Sequence, residues 1–228
     1  RRAAPGSGVR VTESAPGTNP ATASFAGYRA VEIASADDGT VDLGALDKMM
    51  DDTVAAIMLT VPNTLGVFEH RIVEISKIVH DRGGFIYLDG ANLNAFVGRA
   101  LPGFMGADAM HINLHKTFST PHGGGGPGSG AVGVAERLIP FLPLPMVTQE
   151  GEQYRYLTAK DCPQSIGRLS ASMGNPGVLL RAYIYMRFLG REGMVRVAEF
   201  ATLNANYMMA AARRRGFPLA SDSHRAIH

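Results

Sequence analysis

The stretch at residues 110–118 reads Met-His-Ile-Asn-Leu-His-Lys-Thr-Phe and carries the fold prediction for the rest of the chain. Its apolar first half is typical of a buried strand, which ends at His115 and Lys116 and leads into a glycine-rich run at residues 122–130. Lys116 is one of four lysines among 22 basic residues, and it alone follows a strand pattern at a glycine run. Partial desolvation there would free the amine lone pair to form a Schiff base with an aldehyde such as pyridoxal phosphate. We therefore predict that Lys116 is the catalytic centre; the alternative is a solvated lysine at a strand end.

Apolar runs and helical patterns alternate around this stretch. The run at residues 54–60 is almost continuously apolar, which is typical of a strand buried on both faces of a parallel sheet. Residues 68–79 repeat apolar side chains at helical spacing until Gly83 and Gly84 end the pattern. The alternation predicts an α/β domain with a mostly parallel sheet and flanking helices. The other predicted strands are residues 28–34, 85–88, 109–114 and 131–135, and another helix follows Asp42.

The pattern changes near residue 145, where prolines interrupt it. We predict an exposed connection over residues 149–163, a helix from Asn175 to about Gly190, and a second helix over residues 193–215. Two domains are expected. Residues 1–145 would be a cofactor-binding α/β domain without its N-terminal part, and residues 146–228 would connect to a truncated C-terminal small domain. We expect the chain to be a fragment.

Composition limits the class of protein. With 46% apolar residues in 228, the chain can bury a substantial core, and its net charge of +2 favours neither nucleic acid nor a membrane surface as a partner. No apolar run reaches the length of a membrane span. The single cysteine, Cys162, cannot form an internal disulfide and is typical of a reducing compartment. We expect a soluble protein of the bacterial cytoplasm.

Polar groups follow three of the predicted strands, and parallel strands bring such groups to one edge of a sheet. Thr60 begins one turn, Asp89 begins another, and Lys116 follows the third strand. A carboxylate against a pyridine nitrogen keeps that nitrogen protonated. We therefore predict a pyridoxal phosphate site in which Asp89 takes this role and Lys116 holds the aldehyde.

The turns at this edge supply further candidates for cofactor binding. Gly90 and Ala91 are small enough to let a flat ring lie close to the backbone. Asn63 or Asn92 would bind the ring hydroxyl, and their spacing leaves the choice open. The alternative for Asp89 and Gly90 is a simple turn.

Two other motifs are not interpreted as sites. His111 and His115 are four residues apart, a spacing that aligns metal ligands on a helix, but this run is predicted as a strand leading into a loop. The glycines at residues 123–128 lack the Gly-Lys-Ser/Thr ending of a nucleotide P-loop. We expect that loop to lie close to a ligand or to move around one, and we predict no metal site.

Together these motifs resemble one family. Residues 89–94 read Asp-Gly-Ala-Asn-Leu-Asn, residues 113–118 read Asn-Leu-His-Lys-Thr-Phe, and residues 121–128 read Pro-His-Gly-Gly-Gly-Gly-Pro-Gly. This combination is similar to the P-protein of the glycine cleavage system, a pyridoxal-phosphate-dependent glycine dehydrogenase (decarboxylating). The likeness extends through residues 17–20 and 165–168, and it is greatest to subunit 2 of the two-subunit bacterial form.

The resemblance implies an aminotransferase-like enzyme of pyridoxal phosphate fold type I. Lys116 would be the Schiff-base lysine, Asp89 the pyridine-nitrogen partner, and His115 a catalytic residue that places the lysine or relays a proton. Glycine would lose its carboxylate as carbon dioxide, and the aminomethyl group would pass to the lipoylated H-protein. A second P-protein subunit or a homodimer mate is the expected partner.

Several positions depart from the family pattern. Pro16 stands where a histidine is expected to stack on the cofactor ring. Asn63 and Leu65 stand where the family more often has a serine and a polar residue or histidine, and Met173 stands where it commonly has an aromatic residue. The glycine-rich phosphate-binding segment is expected before residue 1. Two alternatives stay open: a catalytically silent scaffold subunit, or another pyridoxal-dependent lyase or desulfurase of the same fold. The fragment alone is expected to be inactive.

Overall fold

The computed structural model describes residues 7–15, 17–171, 173–219 and 225–227. Within them the strands are β1 (Gly8–Thr12), β2 (Arg29–Ile33), β3 (Val54–Thr60), β4 (Phe85–Asp89), β5 (Ala109–Asn113), β6 (Gly130–Val134), β7 (Val147–Glu150) and β8 (Gln153–Tyr156). The α-helices are α1 (Thr18–Phe25), α2 (Leu43–Met49), α3 (Ile72–Asp81), α4 (Leu114–Thr117) and α5 (Pro176–Arg214). Short 3-10 turns span Gly123–Gly125 and Glu136–Phe141.

Six strands form one sheet in the order β2-β1-β3-β4-β5-β6, and β7 pairs with β8 in a separate hairpin. Strands β1 to β5 pair in parallel, whereas β6 runs antiparallel to β5. The predicted α/β fold with a mostly parallel sheet is therefore confirmed. The chain leaves β1 toward β2 on one side and returns to β3 on the other, so the strand order reverses beside β1.

Side chains at the helix ends explain where the helices start and stop. Asp42 Oδ1 accepts hydrogen bonds from the backbone N–H groups of Gly44 and Ala45, at 2.8 and 3.0 Å, and so caps α2 as predicted. Helix α3 ends where Gly83 adopts a φ of +76°, and the N–H groups of Gly83 and Gly84 bond to the carbonyls of His80 and Val79. The helix begins only at Ile72, so the predicted start at residue 68 is wrong.

Apolar side chains pack on both faces of the sheet because successive strand residues point to opposite sides. Ile57 and Leu59 of β3 are buried with Ile75 of α3 on one face. Met58, between them, packs with Val11 of β1 on the other face. This two-sided burial matches the continuous apolar run from which β3 was predicted.

Strand β1, which lies between β2 and β3 in the sheet, was not predicted. Arg10 and Thr12 interrupt its apolar pattern, yet all five residues of the strand are buried. The Arg10 side chain is accommodated because its Nε donates to the carbonyl of Met49 at 2.9 Å. Helix α1, which follows β1, was also missed.

In the C-terminal part the predicted long helices are present, and a hairpin that was not predicted precedes them. Residues 149–163 are mostly exposed, as predicted, but they contain strand β8 and part of β7, which were not predicted. The two predicted long helices are present as α5, which Gly190 interrupts with a φ of +63° and a ψ of −175°. No helix in the described ranges has both the length and the apolar character needed to cross a membrane.

Candidate active site

Side chains from three neighbouring strands form a row at the carboxyl edge of the sheet. The strand register pairs Thr60 of β3 with Asp89 of β4, and Asp89 with His111 of β5. Paired residues of parallel strands project from the same face, so the three side chains lie side by side. Asn19, in the first turn of α1, joins them. The row lies beside the reversal of strand order, where open α/β sheets bind ligands.

The Asp89 carboxylate is buried and surrounded by hydrogen-bond donors. The residue is 4% exposed. Its Oδ1 accepts from the backbone N–H of Ala91 at 3.0 Å and lies 3.3 Å from His111 Nε2. Its Oδ2 accepts from Asn19 Nδ2 at 3.2 Å. These contacts hold the carboxylate in one orientation at the edge of the sheet.

Tyr87 joins the same network from two residues before Asp89 on β4. Its hydroxyl lies 2.5 Å from His111 Nδ1, and the two rings stack with centroids 5.7 Å apart. Burial, reinforced by the negative charge of Asp89, raises the pKa of Tyr87 to about 12. The phenol therefore stays protonated at neutral pH.

A cleft of about 240 Å³ opens beside this row. All six residues that were predicted to bind the cofactor line it: Lys116, Asp89, Ala91, Asn92, Thr60 and Asn63. The structure thus brings the proposed carboxylate and the proposed amine to one cleft. Their roles toward a cofactor stay predictions.

Lys116 reaches the cleft from helix α4 rather than from a loop. The predicted strand at residues 109–114 ends at Asn113, and one helical turn carries Lys116. Thr117 anchors this turn, because its buried Oγ1 accepts from the backbone N–H of Leu93 at 3.1 Å. The side of the turn that bears Lys116 is exposed, so the expected desolvation of this lysine is wrong for this chain.

His115 is not among the side chains that line the cleft. Its ring meets the ring of His122 edge-on, with centroids 4.4 Å apart, and its Nε2 lies 3.4 Å from Asn113 Nδ2. Burial, followed by the positive charges of His122 and Lys116, lowers the pKa of His115, so its neutral form is favoured. Its buried Nδ1 has no hydrogen-bond partner among the described residues.

The two candidate asparagines differ in what their side chains already bind. Asn63 Oδ1 accepts from the backbone N–H groups of Leu65 and Val67, and its Nδ2 donates to the carbonyl of Gly39 at 2.8 Å. Asn92 Oδ1 accepts from the N–H of Asn94 at 3.0 Å, and no bond from its Nδ2 is found within the described part of the chain. Asn63 therefore holds a turn, whereas Asn92 keeps donors for a ligand.

Gly90 has no room for a side chain because β5 lies against it, whereas the prediction was that a cofactor ring would lie there. A Cβ atom built on it would lie 1.9 Å from Met110 Cε and 3.0 Å from the carbonyl oxygen of His111. The position is thus filled by β5 and not by open space for a ring. Ala91 does line the cleft.

Sequence reasoning missed Asn19 and His111 as site residues. Asn19 is 3% exposed and donates to both Asp89 and Thr60. It belongs to the motif at residues 17–20 that carried the family resemblance, which was the available signal. His111 was considered only as a metal ligand. Pro16, the position of the expected ring-stacking histidine, lies outside the described residues.

The residues of the cleft fit pyridoxal phosphate in their chemistry. The fold places a buried carboxylate with three protein donors in the same cleft as a primary amine and a free amide donor. These are the groups that a pyridine nitrogen, an aldehyde and a ring hydroxyl require.

Comparison with known proteins gives named relatives. No family model matches the chain. A protein of Thioalkalivibrio sulfidiphilus named probable glycine dehydrogenase (decarboxylating) subunit 2 is 63% identical over 220 residues, which are 96% of this chain and 44% of that protein. Its namesake in Nitrosospira multiformis is 62% identical over the same shares. The chain is homologous to part of these subunit 2 proteins. The resemblance to the P-protein is thus confirmed, and the chain spans less than half the length of these relatives.

Solved structures confirm the fold of this subunit 2 homologue. An inhibitor-bound glycine decarboxylase (P-protein) of the glycine cleavage system matches with a TM-score of 0.69 at 20% identity, over 92% of this chain and 48% of that one. An aspartate aminotransferase of Thermus thermophilus matches with a TM-score of 0.64 at 13% identity, over 93% of this chain and 52% of that one. The predicted aminotransferase-like fold is therefore confirmed.

Proposed function

We propose that the chain is the lysine-bearing part of a pyridoxal-phosphate-dependent subunit that decarboxylates glycine. The observation that supports this most is the shared cleft of Asp89 and Lys116 in a chain 63% identical to a probable glycine dehydrogenase (decarboxylating) subunit 2. Carbon dioxide would leave glycine, and the aminomethyl group would pass to the lipoylated H-protein. The proposed location is the bacterial cytoplasm.

Asp89 and Lys116 would perform the two essential tasks at the cofactor. When bound, pyridoxal phosphate supplies an electron sink for the negative charge that develops on the glycine α carbon. Asp89, held by Asn19, Ala91 and His111, would bind the protonated pyridine nitrogen. Lys116 would bind the aldehyde and then act as an amine beside the reacting carbon.

Asn92 and His115 would support these two groups. The free Nδ2 of Asn92 is suited to donate to the ring hydroxyl, since both Oδ1 and Nδ2 of Asn63 already bind backbone groups. His115 adjoins Lys116 in α4 and contacts His122 at the start of the glycine run. We assign it the placing of the lysine relative to that run rather than contact with the cofactor.

The whole protein would work with further partners. We propose residues 1–145 as a partial cofactor domain and residues 146–228 as the segment that leads to a small domain. The site residues named above all lie between Asn19 and Lys116, which supports this division. A second P-protein subunit or a homodimer mate, the lipoylated H-protein and glycine complete the proposed system.

Glycine–bicarbonate exchange by the full-length protein with its partner subunit and lipoylated H-protein tests the function. Lys116→Ala should reduce exchange to background. Lys160→Ala is the matched control, because Lys160 is an exposed lysine remote in sequence from the cleft residues, and it should leave exchange intact. Exchange that survives Lys116→Ala would instead support a scaffold subunit beside an active partner. Exchange absent from the wild type, with turnover of another amino acid, would support a different lyase or desulfurase.

A further inference from the structure

His111 is coupled directly to the carboxylate on which the proposed function rests. Strand register places it beside Asp89, with its Nε2 3.3 Å from Asp89 Oδ1. Tyr87, on the same face of β4, contacts the other ring nitrogen of His111 at 2.5 Å. The three side chains therefore form a chain of polar contacts that ends at the cleft.

The hydrogen positions in this chain follow from chemistry. An ionised carboxylate only accepts hydrogen bonds, so the His111 nitrogen that faces Asp89 must carry a hydrogen. In the neutral imidazole the other nitrogen, Nδ1, is then an acceptor, and the Tyr87 hydroxyl is the donor. The raised pKa of Tyr87, about 12, keeps that donor in place. Tyr87 thus selects the tautomer of His111 that points a hydrogen at Asp89.

The contact matters because Asp89 is buried. Burial alone favours the neutral form of a carboxyl group, and hydrogen bonds to the ionised form oppose that preference. Oδ1 has two such contacts, from Ala91 and His111, and Oδ2 has one, from Asn19. Loss of the His111 contact would leave a backbone N–H as the remaining donor seen at Oδ1.

We propose that His111, oriented by Tyr87, is a positioning residue that fixes the direction of the Asp89 carboxylate toward the pyridine nitrogen of the cofactor. This inference rests on the proposed function, because it assigns Asp89 to that nitrogen. His111 does not react; it acts through Asp89, and its effect is confined to ligands that carry the ring nitrogen.

The test compares two cofactors on the full-length protein with its partner subunit. Dissociation constants are measured by fluorescence titration for pyridoxal phosphate and for its 1-deaza analogue, in which carbon replaces the ring nitrogen. The wild type should prefer the natural cofactor by about tenfold, the value of one hydrogen bond to a charged group. His111→Phe should reduce this preference by about threefold or more, as expected for one weakened contact. His111→Gln keeps an amide donor near the former Nε2 and should restore most of it.

Each outcome decides one point. A role of His111 in folding alone would weaken both cofactors equally, so an unchanged ratio in His111→Phe would overturn the inference. If His111→Phe does not fold by circular dichroism, Tyr87→Phe replaces it: a reduced ratio supports the inference and the wild-type ratio overturns it. Asp89→Asn should abolish the preference. If Asp89→Asn keeps the preference, the site assignment of the proposed function fails, independently of His111.

Discussion

Hydrogen bonds separate the side chains that build the cleft from those that are available to a ligand. Asp89 and Lys116 were found from sequence because their residue types are diagnostic and each follows a strand. Asn19 and His111 were not, since the contacts that define them join residues 70 and 22 positions apart. The choice between Asn63 and Asn92 likewise depended on backbone groups that spacing does not reveal.

Substitution of the two asparagines should give opposite results. Asn92→Ala should weaken cofactor binding by about fivefold, as for one lost hydrogen bond, with little change in the free energy of unfolding. Asn63→Ala leaves the N–H groups of Leu65 and Val67 without their acceptor and should lower that free energy by about 1–3 kcal/mol. Cofactor titration and urea unfolding measure the two effects. Equal effects of both variants on cofactor binding would contradict the assignment.

Strands and helices were predicted best where the sequence shows a long apolar run or a clear capping residue. The run that became β3 and the Asp42 cap of α2 are examples. Strand β1 was missed because a buried arginine whose Nε donates to a distant carbonyl has no local signal in the sequence. The turn of helix carrying Lys116 was missed because four residues are too few to show a helical period.

Strand β6, which follows the glycine run after Lys116, approaches the backbone of β5 closely at Gly130. A Cβ atom on Gly130 would lie 2.6 Å from the carbonyl oxygen of Ile112, whereas a Cβ atom on Gly133 would meet nothing within 4 Å. Gly130→Ala should therefore lower the free energy of unfolding by about 1–3 kcal/mol, because backbone must move. Gly133→Ala in the same strand is the matched control and should change it by less than about 0.5 kcal/mol. Urea denaturation that ranks the two variants equally would disprove the contact.

At the edge of the sheet opposite the cleft, Asp108 ties several parts of the fold together. It is 4% exposed and accepts from the backbone N–H of Ile86 at 2.8 Å, from His80 Nε2 at 2.9 Å and from Arg137. Burial raises the pKa of Asp108, but the bonds from Ile86, His80 and Arg137 outweigh it, so the pKa lies below its ordinary value. A carboxylate with a lowered pKa stabilises the fold above its unfolded pKa, about 4, and loses that contribution as pH falls through the folded value.

Asp108→Asn should accordingly lower the free energy of unfolding by about 1–3 kcal/mol at pH 7, as for a buried carboxylate whose charged hydrogen bonds are weakened. The difference from wild type should shrink below about pH 4, because Asp108 of the unfolded chain binds a proton at a higher pH than Asp108 of the folded chain. Asp81→Asn, which removes an exposed pair with Lys77, is the control and should cost under about 1 kcal/mol. Urea unfolding across pH 3–7 provides the comparison. A difference that does not vary with pH would contradict the role of the Asp108 charge.

The parallel sheet of the molecule was predictable from the sequence, whereas the β7–β8 hairpin was not. A parallel sheet follows from alternating apolar strands and helices, and confirmation came from the strand order β2-β1-β3-β4-β5-β6. The β7–β8 hairpin was missed because β8 is only four residues long, too short for its alternation of polar and aromatic side chains to indicate a strand.

Borohydride reduction of the full-length protein with bound pyridoxal phosphate, followed by peptide mass spectrometry, tests the account most directly. Reduction fixes the cofactor to whichever lysine holds it, and residues 1–228 offer four choices: Lys48, Lys77, Lys116 and Lys160. We predict a pyridoxyl adduct on the peptide that contains Lys116 and none on the other three. An adduct on Lys48, Lys77 or Lys160 with Lys116 unmodified would contradict the assignment of the site.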